Sequence, residues 1–255
     1  MKISIITVVF NGATTIGDTL DSVNDQTYPD VEHVVIDGGS RDNTLDIVKA
    51  RGRRVGKLVS ERDRGIYDAM NKGLKFATGD VIGFLNADDF YVDPAVLEDV
   101  AKVFADERVQ ACYGDLLYVS QEQQDKIVRY WKSSDFVPGA FGRGWVPPHP
   151  TFFVRREVYE KLGGFNLDFR IAADFELMMR FIEVHRVNAV YVPRVMIRMR
   201  LGGTTNKSIG NIIKQNREIM TALRLHGARS SWWRFIGHKV LARGKQFLVR
   251  PSAKG

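Results

Sequence analysis

Short apolar runs alternate with helix-periodic segments through the first hundred residues, and this most restricts the fold. Ile3 to Val9, Val31 to Ile36, Lys57 to Ser60 and Val81 to Leu85 read as strands. Helical patterns lie between them, at about Thr15 to Asp25, from near Asp42 to Thr44, and at about Ile66 to Ala77 with Ile66, Met70 and Leu74 inward. Strands of this kind joined by crossover helices predict an α/β protein with a mostly parallel central sheet flanked by helices. Such sheets bind ligands at the carboxyl ends of their strands.

Beyond Pro94 a helix to about Phe104 precedes β-like runs at Ala111 to Val119 and Ile127 to Trp131. A Gly- and Pro-rich loop, Val137 to Pro150, leads to Thr151 to Val154, helices at Glu157 to Leu162 and Asp174 to Val184, and a late strand at Val187 to Val192. No internal repeat or low-complexity linker interrupts the 255 residues, so the division is a catalytic domain at 1–207 and a helical extension at 208–255.

Charge separates these two parts. After Glu218 there is no acidic residue and eight basic ones, which leaves −1 of the net +7 for the first 218 residues. The basic extension carries Trp232, Ile236 and Val240 on one helical stripe. That pattern suits an anionic membrane surface as well as it suits packing on the domain, and it gives little support for nucleic acid. One cysteine, no signal-peptide pattern and no apolar run of about twenty residues lead to the expectation of a cytoplasmic protein, peripheral at most on the inner face of the membrane.

The chemistry-bearing residues gather at the expected strand ends. Asn86-Ala87-Asp88-Asp89 follows the fourth apolar run, and paired acids there suit Mg²⁺ or Mn²⁺ on a diphosphate as well as a plain acidic turn. Asp37, before Gly38-Gly39-Ser40, reads either as a turn former or as an acceptor for a nucleobase N–H. Thr7, Val9 and Asn11 end the first strand beside it. Asp63 precedes a glycine at a helix start and Lys72 lies about two turns on, so both could reach a nucleotide across the strand ends, although for either residue alone a solvated helix face is the simpler reading. In the loop before residue 150, Trp145 offers an apolar face to a sugar and His149 a hydrogen bond to acceptor or phosphate. Arg198 and Arg200, before Gly202 to Asn206, suit a loop that closes over phosphate or an ordinary polar connection.

Ser4 to Gly12, Val34 to Thr44, Gly83 to Asp89 and Ala172 to Arg180 together resemble the family 2 glycosyltransferases of bacterial polysaccharide biosynthesis, over roughly residues 1 to 200. The resemblance implies a GT-A fold, the Rossmann-like fold of nucleotide-diphospho-sugar transferases. It also implies inverting, metal-dependent transfer of a hexosyl or N-acetylhexosaminyl group from a nucleotide-sugar, most often a UDP-sugar, to a hydroxyl of a glycan or lipid-linked acceptor. On this pattern Asp37 binds the base, with Asn86 and Ala87 beside the donor. Asp88 is the principal metal ligand with Asp89 in support, because Asn86 stands where the family has a first acid. Asp174 matches the catalytic base, and Glu176 is the reserve. A nucleotidyltransferase would need a glycine-rich basic loop after the first strand, which Asn11 to Thr15 does not supply. A non-catalytic sugar- or nucleotide-binding module is the alternative from another class.

Overall fold

In the computed structural model, which describes residues 1–202, 209–228, 235 and 237, the parallel strands form as the apolar runs predict. The order is β1 (Ile3–Val9), α1 (Ile16–Asn24), β2 (Val31–Asp37), α2 (Thr44–Arg51), β3 (Val55–Ser60), α3 (Ile66–Phe76), β4 (Val81–Phe84), β5 (Asp89–Tyr91), α4 (Val96–Val103), β6 (Ala111–Val119), β7 (Ile127–Trp131), β8 (Phe153–Arg155), α5 (Arg156–Leu162), α6 (Ala173–Met179), β9 (Ala189–Arg200) and α7 (Ile209–Leu225). One sheet runs β3-β2-β1-β4-β8-β6-β9-β5, with β7 on β6. Strands β3, β2, β1 and β4 are parallel, and so are β6 and β9, while β8, β7 and β5 join antiparallel.

Burial on both faces accounts for the unbroken apolar character of β1, in which every residue is buried. Its register pairs Val9 with Asp37, and β2 pairs Asp37 with Ser60. Ile6 pairs with Phe84 on the other side. The carboxyl ends of four parallel strands therefore come to one edge, where the loops after them meet.

Helix α3 buries Ala69, Met70 and Gly73. Ile66, expected inward, is 47% exposed because it lies at the helix entry, before the turn that meets the sheet. Gly73 allows α3 to lie close on β1, since a Cβ there would sit 2.4 Å from Ile6 Cγ2.

Two elements depart from the sequence expectation. The late strand begins at Ala189 and runs through Arg200, and the three-residue β5 pairs with its end, Asp89 opposite Met199. The expected helix over Asp174 to Val184 is α up to Met179 and a π turn from Arg180 to Val184.

Helix α7 packs on the domain through Ile219, Met220, Ala222 and Leu223, which join the main core with Phe235. The Glu218 carboxylate accepts N–H bonds from Ile171 (2.8 Å) and Ala172 (3.0 Å) just ahead of α6. The stripe of Trp232, Ile236 and Val240 and the segment Gly203 to Asn206 lie outside the described residues. Among the described residues no helix is long and apolar enough to cross a membrane.

Candidate active site

Two loops, after β1 and after β2, are bonded to each other at the strand ends. Asn11 adopts a left-handed backbone (φ 49°), and its N–H donates to Ser40 Oγ at 2.7 Å while its side-chain oxygen accepts the Arg41 N–H at 2.9 Å. Gly12 N–H donates to Thr44 Oγ1 (2.9 Å) and Ala13 N–H to Asp42 Oδ2 (3.1 Å). The Thr44 hydroxyl, more than any other group, holds the Asp42 carboxyl below its usual range.

Asp37 is fully buried at the end of β2. Its Oδ2 accepts the Ser60 hydroxyl (2.6 Å) and the N–H groups of Gly39 (3.1 Å) and Ser40 (3.0 Å). Oδ1 receives a longer bond from Ser40, 3.2 Å, and so keeps capacity for one further donor. Asp37 thus organises its own turn. Asp63, half-buried, caps Gly65 N–H at 2.8 Å and brings Oδ2 against Gly38, so the two acids border one recess.

Phe10 is the residue that sequence reasoning missed here. It is 62% exposed, with its ring beside Gly38. A large aromatic left in water beside two acids can cover the face of a planar base. The signal was an apolar residue continuing β1 past its last buried position.

Thr7 and Val9 do not face this recess with their side chains, because both are buried in the sheet. Thr7 Oγ1 pairs with His33 Nε2 at 2.8 Å, and burial pushes the His33 imidazole down to about 3, so it stays neutral. Lys72 is half-buried, donates to the Arg62 carbonyl at 2.7 Å and pairs with the exposed Glu61 at 2.9 Å. Such an exposed pair is worth at most about 1 kcal/mol, so a phosphate can compete for the ammonium. Asn71 is committed elsewhere, exchanging bonds of 2.8 Å each way with the Phe165 backbone.

The turn after β4 separates its two acids. Asp88 stays half-buried at the strand end. Asp89 opens β5, and pairing with β9 turns its side chain into the covered interior, at 0% exposure. Desolvation and then the Asp88 charge push the Asp89 carboxyl well above the usual range. Its Oδ2 accepts Asn86 Nδ2 at 3.2 Å. The expected support of Asp89 for a metal is therefore absent from this arrangement. Thr19 Oγ1 donates to the Asp89 carbonyl (2.8 Å) and Arg200 Nη1 to the Asp88 carbonyl (2.8 Å), which fixes the turn from two sides. Arg200 also pairs with Asp18, and Arg198 lies 3.7 Å from Asp125. Arg200 thus holds the Asp88 turn instead of standing in a phosphate-closing loop.

Among the described residues no three His, Cys, Asp or Glu side chains converge on a metal position. A hard cation held mainly by phosphate oxygens needs only one or two protein oxygens. The Asp88 carboxylate meets that need, and Asn86 Oδ1, buried and without a hydrogen-bond partner, can add a second oxygen beside it. The residues present fit a divalent cation brought in with a diphosphate. Ala87, between them, is buried and lends backbone only.

Across the cleft, Asp174 lies in the first turn of α6, half-buried, and its Oδ1 accepts the Tyr67 hydroxyl at 3.0 Å. His149 is buried nearby, its ring edge-on to Phe165 (5.5 Å) and tilted to Phe84 (5.6 Å). Burial pushes its imidazole down, the Asp174 charge opposes this, and Nε2 has no hydrogen-bond partner. Glu176, the reserve base, is turned away: two residues along an α-helix rotate a side chain by about 200°. It is buried in an ion pair with Arg180 (2.9 Å) and His226 (2.7 Å), tying α6 to the end of α7. Trp145 is half-buried, edge-on to Phe141 (5.3 Å) and Tyr113 (5.8 Å), with Nε1–H on Ser134 Oγ at 3.1 Å.

Known proteins resemble this chain in sequence and in fold. A PGL/p-HBAD biosynthesis glycosyltransferase of Mycobacterium tuberculosis is 35% identical over 181 residues, 69% of this chain and 68% of that protein. The crystal structure of S. aureus TarS 1-349 in complex with UDP-GlcNAc superposes with a TM-score of 0.67 at 18% identity, covering 97% of this chain and 72% of that one. The mannosyltransferase PcManGT from Pyrobaculum calidifontis, in complex with GDP-Man and Mn²⁺, gives 0.66 at 21% identity, covering 94% and 69%. The structural neighbours bear on the fold alone, which is that of the GT-A glycosyltransferases. Residues 4–168 match the sequence family described as Glycosyl transferase family 2, and with the M. tuberculosis relative this makes the chain a member of that family.

Proposed function

We propose that the protein transfers a hexosyl or N-acetylhexosaminyl group, with inversion, from a UDP-sugar to a hydroxyl of a glycan or lipid-linked acceptor in the synthesis of a cell-surface polysaccharide. One observation carries this reading. Asp37 and the Asp88 turn lie at the carboxyl ends of parallel strands in one sheet, and Asp174 bonds Tyr67 of α3, the helix that Asp63 leads into.

In this reading the uracil lies against the Asp37 turn, its N3–H donating to Asp37 or to the more accessible Asp63, under Phe10. Lys72 exchanges Glu61 for a donor phosphate. Mn²⁺ or Mg²⁺, held by Asp88 with Asn86 beside it, would offset charge on the diphosphate. Asp174 takes the proton of the acceptor hydroxyl as the oxygen bonds to the anomeric carbon, and the bond from that carbon to the phosphate oxygen breaks to release UDP. A base acting on the face opposite the leaving group would give inversion. His149 and Trp145 are the residues assigned to the acceptor in this reading. The basic segment after residue 228 remains a candidate for an anionic membrane surface that presents a lipid-linked acceptor.

Purified protein is to be incubated with UDP- and GDP-sugars and Mn²⁺, with nucleoside diphosphate release and anomeric configuration followed. Release from a UDP-sugar is the expected result. A protein that binds the donor but releases nothing in the presence of acceptor extracts would be a binding module, and the proposal would fall.

A further inference from the structure

We propose that Tyr67 is a positioning residue for Asp174: its hydroxyl, on a helix that starts at the nucleotide side of the cleft, fixes which carboxylate oxygen faces the acceptor. This rests on the reading of Asp174 as the base.

The ring of Tyr67 is held in place. It stacks on Phe165 at 5.4 Å with an interplanar angle of 26°, and Asn71, one turn further along α3, bonds both backbone groups of Phe165. The hydroxyl then has two acceptors, Asp174 Oδ1 and the Ile171 carbonyl oxygen, each at 3.0 Å. Occupying Oδ1 leaves Oδ2 as the edge for the incoming hydroxyl.

One phenolic proton serves two acceptors, and this matches what a base must do. While Asp174 is ionised the proton belongs on Oδ1, the stronger, charged acceptor. Once Asp174 has taken the acceptor's proton, the phenol turns to Ile171. Neither state leaves the buried O–H unpaired, so the protonation change at Asp174 carries no desolvation penalty at Tyr67. Tyr67 itself neither gains nor loses a proton. Burial, and then the Asp174 charge, push the phenol well above its usual range, which rules it out as the base. The donor side is linked to the same element: Asp63 caps Gly65 directly before α3, and Lys72 projects from it.

The test is Tyr67→Phe, which keeps the stacked ring and removes the hydroxyl. UDP release from UDP-GlcNAc with Mn²⁺, water acting as acceptor, is expected to lose at least tenfold in kcat, with KM for UDP-GlcNAc and Kd for UDP within twofold of wild type. A hydroxyl that only supports the Ile171 loop would leave kcat within twofold, and that outcome overturns the inference. Asp174→Asn separates the two ideas. Full turnover in that variant would remove the base itself, whereas an inactive Asp174→Asn beside a fully active Tyr67→Phe would remove only the positioning role. Adding Tyr67→Phe to Asp174→Asn is expected to slow the residual rate no further, and a second tenfold loss would mean that Tyr67 acts elsewhere. A crystal structure of Tyr67→Phe reads the same point without turnover: the Asp174 carboxylate is expected to leave its position, and an unmoved carboxylate overturns the proposal.

Discussion

Arg200 donates from Nη1 to the carbonyl oxygen of Asp88 at 2.8 Å, joining the end of the longest strand among the described residues to the turn that carries Asp88. Only 6% of Arg200 is exposed, and its other partner is Asp18 on α1. Arg200→Ala is expected to cost about 2 kcal/mol, the scale of a charged hydrogen bond, with Asp18 regaining water because it is only half-buried. Urea unfolding measures the loss, and Mn²⁺-dependent UDP binding should weaken with it. Unchanged nucleotide affinity would mean that the turn keeps its shape without the clamp.

The two acids of that turn should respond differently. Asp88→Ala is expected to weaken Mn²⁺-dependent UDP binding by at least about tenfold, or about 1.4 kcal/mol. Asp89→Asn, which replaces a fully buried acid by its near-isostere, should leave the metal dependence intact. Calorimetric titration of UDP with and without Mn²⁺ compares them, and equal losses would mean that both acids contact the metal.

Asp174→Asn should lower kcat by at least about 10²-fold, the scale of general-base catalysis, and leave UDP affinity within twofold. Near-normal turnover would exclude Asp174 as the base.

His33 gives stability a defined acid limb. Its imidazole falls from about 6.5 in the unfolded chain to about 3 when buried against Thr7. A depressed pKa contributes stability that is complete above about 6.5 and is lost as pH falls toward 3, on the order of 4 kcal/mol across that window. His33→Gln removes the titration. Its urea midpoint is expected to vary less between pH 7 and pH 4 than that of wild type, and parallel pH curves for the two proteins would refute this origin.

Gly73→Ala puts a Cβ 2.4 Å from Ile6 Cγ2, between α3 and β1. Overpacking of this kind costs about 1–3 kcal/mol. Thermal unfolding measures it, and an unchanged midpoint would show that α3 can lift from the sheet freely.

The parallel half of the fold was legible because its signal is local. Each of β1, β2 and β4 is a run whose apolar character follows from burial on both faces, and the strand ends then locate Asp37 and Asp88 without further information. What escaped depends on distant partners. Asp89 reads like Asp88 in sequence, and only pairing with Met199, more than a hundred residues later, turns it inward. The reach of β9 to Arg200 was hidden because Pro193 and alternating basic residues interrupt its apolar pattern. Glu176 was misplaced for a similar reason: its carboxylate is claimed by Arg180, four residues on in the same motif, and by His226, fifty residues beyond it. Tyr67 could have been noticed as a large polar aromatic among the charged positions of α3, but its partner Asp174 could not.

The bonds that join Asn11, Gly12 and Ala13 to Ser40, Arg41, Asp42 and Thr44 also bear on binding entropy. Neither loop needs to be ordered by a nucleotide, because each already orders the other. A base entering between them would give up its own freedom and little of the protein's, so the free energy of its contacts is retained as affinity. On this side of the cleft the protein has met the cost of recognition during folding, and amide protons at Asn11, Gly12 and Arg41 should exchange slowly before any ligand is added.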